Sequence, residues 1–177
     1  KKFLEDVGGK KISEQSVQRA VANSNEAASY YSSQLALRKD HDPVTSLTNE
    51  LYAIFMCHLL AGSEESLKYT KMLLEDVKKA KGEGFHILWM HMMPFLQEPV
   101  KDVFNYSQNV HIRACDFVAD GFQRMQASDP YEALAEKMVN CIYNGSVKQR
   151  IRRAQELASL TEADGGILFA HWGCKGT

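Results

Sequence analysis

The stretch GEGFHILWMHMMPF, Gly82 to Phe95, constrains the fold more than any other part of the chain. Wound as a helix it makes about four turns at most, and it is apolar on nearly every side. A helix of that kind persists only when other elements surround it. The expectation is therefore a central helix of the core, set off by Gly82 and Gly84 before it and by Pro94 at its end.

The rest of the chain also reads at helical periodicity. Ser13 stands where an N-cap belongs, and Val17, Val21, Ser24, Ala28, Tyr31 and Leu35 follow on one stripe. Asp42-Pro43 has the form of a helix start, with Leu47, Leu51, Ile54, Phe55 and His58 along one face. Gly62 closes that segment and Ser63 caps the next, whose inward residues are Leu67, Leu74 and Val77 and whose lysine-rich side is a solvated face. Pro99 opens a long amphipathic pattern through Val103, Val110, Ala114, Phe117, Val118 and Met125. Asp129-Pro130 repeats the Asp-Pro start, and Ser146 caps a last strong helix with Val147, Ile151, Ala154 and Ala158 inward. No segment shows the alternation of a half-buried strand. These patterns predict an all-α, single-domain bundle of six or seven helices, with a short α-solenoid as the other arrangement of the same helix pairs. Its parts would be an N-terminal extension over 1–12, the bundle over 13–160, and a tail over 161–177 that could hold a short helix.

Composition bounds the function. A length of 177 residues suits one domain, and 45% apolar with 24% charged residues is ordinary for a globular protein. The net charge of −1 supplies no global attraction to nucleic acid or to an anionic membrane. Cys57, Cys115, Cys141 and Cys174 are widely spaced and form no C-x-x-C pair, which suits reduced thiols and an intracellular setting, cytoplasmic or nuclear. No apolar run reaches the roughly 18 residues of a membrane span. The chain starts at Lys1 without a methionine, which predicts a piece of something longer.

Two clusters could carry chemistry. Glu83-Gly-Phe-His86 is an E-x-x-H, the half-motif that di-iron bundles use twice, and His58 and His91 lie on other apolar faces. No second E-x-x-H occurs. On a helix, His86 and His91 would point about 140° apart and could not share an ion. Histidines donating to neighbouring backbone are the plainer reading, and Met90, Met92 and Met93 suit gap-filling in a core. The second cluster, Lys148, Arg150, Arg152 and Arg153, lies within SVKQRIRRAQ and could clamp phosphates. P-loop, G-x-G-x-x-G, G-x-S-x-G and H-E-x-x-H motifs are all missing.

The reading that follows is a non-catalytic helical module that binds a protein partner or self-associates, with no cofactor. The alternatives are a nucleoprotein-like module using the Lys148–Arg153 face, and a metal- or haem-binding bundle built on Glu83, His86, His58 and His91.

Overall fold

A computed structural model of the chain describes residues 1–43, 46–79, 81–170 and 172–173. Among these are α1 (Lys2–Gly8), α2 (Glu14–Leu37), α3 (Ser46–Ile54) continued by a π turn (Phe55–Leu59), and α4 (Glu64–Val77). They are followed by β1 (Phe85–His91), α5 (Glu98–Tyr106), β2 (Val110–Cys115), α6 (Asp116–Gly121), α7 (Pro130–Asn140), α8 (Val147–Thr161) and β3 (Gly165–Phe169). The three strands form one sheet in the order β2-β1-β3, and both pairings are parallel. The molecule is therefore mixed α/β, and the all-α expectation is wrong.

The error starts in the stretch that prompted it. Phe85–His91 is the middle strand of the sheet, and His86 to Trp89 are buried one after another. Successive strand residues point to opposite faces, so both faces of β1 are covered. Such a strand reads as a continuous apolar run, which periodicity alone does not separate from a buried helix. Trp89 is 1% exposed, edge-on to Phe104 of α5 and stacked on Phe169 of β3.

The long helix expected after Pro99 is broken in the same way. It stops at Tyr106, and Ser107 Oγ accepts from the amides of Asn109 and Val110, turning the chain into β2. Gly84 fits the return: its φ is 102°, and a side chain there would press on the Asn109 backbone. The C-terminal segment supplies β3, whose start is fixed when Asp164 Oδ2 accepts from His86 N at 2.8 Å.

Helix starts were easier to read. Ser13, Ser63, Asp129 and Ser146 each accept from an amide two or three residues on, and Ser146 forms a full capping box with Gln149. Asp42 differs. It is no cap, since α3 begins only at Ser46. Its buried carboxylate accepts from Arg113 Nε at 3.1 Å and Glu83 N at 3.0 Å, pinning the loop before α3 to β2 and to the approach to β1. A second buried group joins α2, α3 and β2: Arg38 donates to Gln34 Oε1, to Glu50 and to the carbonyl of Arg113.

Candidate functional site

Because the strands are parallel, His91, Cys115 and Phe169 end along the same edge of the sheet. From β1 the chain passes to β2 on one side, while β3 lies on the other. In open parallel sheets, ligands bind outside the carboxyl ends of the strands near such a reversal. Here that edge holds a backbone outlier, a buried acid, a phenol and a cation.

His91 closes β1 with φ of 71°, a left-handed conformation that a non-glycine residue adopts at a cost. The turn aims its amide at Asp116 Oδ1, 2.7 Å away. Asp116 follows β2 directly and is buried, and the same oxygen accepts from Tyr143 Oη at 3.2 Å. Burial pushes the Asp116 carboxyl above its ordinary value, although both hydrogen bonds pull it back. The Tyr143 hydroxyl is pushed up as well, by burial and then by the Asp116 charge. The Arg150 guanidinium lies 4.8 Å from the centre of the Tyr143 ring, a cation–π contact. Phe117 packs edge-on against Tyr143, and His58 lies beyond it with Nε2 3.2 Å from Phe117 O.

The residues singled out in the sequence are scattered around this site. His86 and His91 sit at opposite ends of β1, roughly 16 Å apart along the strand. His86 Nε2 faces Asp42 at 3.4 Å and its Nδ1 faces Asp164 at 3.2 Å, at the amino edge of the sheet. Glu83 is exposed before β1, and His58 belongs to the π turn. Among the described residues, no group of three or more His, Cys, Asp and Glu side chains could hold a metal ion. The basic cluster also disperses. Arg150 covers Tyr143, Arg153 pairs with Glu156 at 3.4 Å, and Lys148 and Arg152 are exposed.

Sequence reasoning missed Asp116 and Tyr143. The available signal was a carboxylate placed directly after the segment HIRAC, a pattern with meaning only once that segment is a strand.

A family profile described as "2-hydroxyglutaryl-CoA dehydratase, D-component" matches residues 1–177. The chain belongs to this family. No curated protein matches it. Membership overturns the expectation of a generic non-catalytic interaction module, because the family is a component of an enzyme system. It overturns the RNA-binding reading too, which the dispersed arginines had already weakened. Protein partners fit a family whose description makes each member one component among others. Among the described residues, no helix is long and apolar enough to cross a membrane.

Proposed function

We propose that the chain works as a D-component of a dehydratase acting on a 2-hydroxyacyl-CoA thioester, and that the substrate meets the edge formed by His91, Asp116, Tyr143 and Arg150. The observation that carries this reading is the buried Asp116 carboxyl at the carboxyl edge of a parallel sheet, in a chain matched end to end by the family. Loss of water from a 2-hydroxyacyl group breaks the C2–O and C3–H bonds and forms a C2–C3 double bond; the hydroxyl leaves as water when an acid supplies a proton to it, and the C3 proton passes to a base of the assembled system. A carboxyl that holds its proton beyond the ordinary carboxylate range suits that transfer. Tyr143 and the His91 amide orient the acid, while Arg150 offers a positive charge to the thioester oxygen or a phosphate. The setting in this reading is intracellular, which the free thiols of Cys57, Cys115 and Cys141 support.

Calorimetric titration with 2-hydroxyglutaryl-CoA, and separately with the free 2-hydroxy acid, tests the assignment. Binding of the thioester should weaken about tenfold or more in Arg150→Met. It should survive in Asp116→Asn, while dehydration by the assembled system is lost. No thioester binding by the wild type, or full turnover with Asp116→Asn, would overturn the reading.

A further inference from the structure

Behind α6 lies a cavity of about 470 Å³, within the roughly 300–1,000 Å³ typical of small-molecule sites. Its wall is mainly aliphatic: Ala20 and Val21 of α2 face Leu134 and Met138 of α7. The π turn presents Cys57 and His58 at one end, and π turns are frequent at functional sites. Gly121 lets this turn approach closely, since a side chain there would strike Cys57 Sγ.

Its polar lining comprises Ser24, His58, Asp120, Lys137 and Asn144. Lys137 lines it, half-buried, with Nζ donating to Gly121 O at 2.7 Å. An ammonium has three donors, so further donor capacity remains. Burial pushes the Lys137 amine below its ordinary value, the sign of a cation short of compensation. Asp120 also lines the cavity, but its Oδ1 accepts from Ile142 N at 3.1 Å and from Gln123 Nε2, which ties the carboxylate to the chain. A mainly aliphatic wall beside a half-buried ammonium suits an apolar chain that carries an acceptor oxygen at its head.

We propose that this cavity binds an aliphatic acyl group, with its chain against Val21, Leu134 and Met138 and its carboxylate or carbonyl oxygen on Lys137 Nζ. An eight-carbon acyl group has roughly ten heavy atoms and at about 30 Å³ each fills some 300 Å³, so it fits with room to spare. The head could belong to a free carboxylic acid or to a thioester, and both present the same oxygen to Lys137. The site is separate from the Asp116 edge and stands or falls independently of it.

Octanoate and octanoyl-CoA are the probes, titrated into the full chain by calorimetry, with displacement of a fluorescent fatty acid as a second readout. Wild type should bind at least one of them; octanoate alone assigns a free acid, and octanoyl-CoA alone assigns a thioester. Lys137→Met should weaken binding about tenfold or more, and Lys137→Arg should recover most of it. Val21→Trp, which fills the cavity from α2, should abolish binding at an unchanged melting temperature. If it unfolds the chain, Met138→Trp on the exposed rim takes its place. Asp116→Asn should bind the probe as wild type does, so failure at the carboxyl edge leaves this result intact. No binding of either probe by wild type, or equal binding by Lys137→Met and the filled variant, would overturn the proposal.

Discussion

Trp89 is the largest fully buried side chain among the described residues. Its ring contacts Phe104 and Phe169 while Nε1 donates to Met92 O at 2.7 Å, so one residue ties β1 to α5, to β3 and to its own exit turn. Trp89→Ala should destabilise the fold by about 3–5 kcal/mol in urea titration. Trp89→Phe, which loses the hydrogen bond and part of the ring, should cost less. A variant alanine protein with an unchanged midpoint would mean that the strand is not packed as described. Asp116 makes the opposite sort of contribution. Its folded-state value lies above the ordinary 3.8, so the fold favours the protonated form. That contribution is fully present below about pH 4 and is lost as pH rises to the folded-state value. Asp116→Asn keeps an acceptor for the His91 amide but cannot ionise. Its stability relative to wild type should therefore climb from pH 4 upward until Asp116 is fully ionised in the folded protein. A difference that stays constant between pH 4 and 7 would rule out the raised carboxyl. In the sequence, Trp89 lies in the apolar stretch that reads as core, whereas nothing in the helical pattern singles out Asp116.

At the scale of elements, what could be read in advance depended on how local the signal was. Caps are local chemistry, a hydroxyl or carboxylate reaching an amide two or three residues on, and Ser13, Ser63, Asp129 and Ser146 announced their helices correctly. Strands of a parallel sheet are long-range objects, because β1 finds β2 only across α5, and β3 only beyond α5, β2, α6, α7 and α8. Asp42 shows the limit from the other side: its sequence neighbour Pro43 suggested a cap, while its actual partners lie on β2 and at the entry to β1. The Arg38–Glu50 pair is the element-scale joint most exposed to test. Both side chains are at most 1% accessible, and Arg38 also reaches the carbonyl of Arg113 on β2. Burial raises the Glu50 carboxyl even though Arg38 pulls it down, so its desolvation outweighs the attraction. Glu50→Leu alone strands a buried guanidinium and should cost about 3–5 kcal/mol. Glu50→Leu combined with Arg38→Met should recover most of that loss, as measured by a double-mutant cycle in urea. Additive losses would show that the pair is not coupled.

Over the whole molecule, the accessible surface is 10,618 Å². A compact monomer of 20.0 kDa is expected to show about 8,700 Å². The elements differ in how well they are covered. β1 is hydrogen-bonded on both sides and buried on both faces, whereas β3 is paired only to β1 and alternates between half-buried and exposed residues. α1 buries no residue at all. Native-state hydrogen exchange should rank the amides accordingly. Those of β1 from Ile87 to Met90 should exchange only through global unfolding, with a free energy that falls with urea at the full equilibrium slope. Those of Ile167 to Phe169 should open through a smaller, nearly urea-independent fluctuation, and those of α1 should exchange fastest. Equal protection in β1 and β3 would mean that the third strand is as integral to the sheet as the first, and that the carboxyl edge between them is a rigid wall instead of one that can part to admit a ligand.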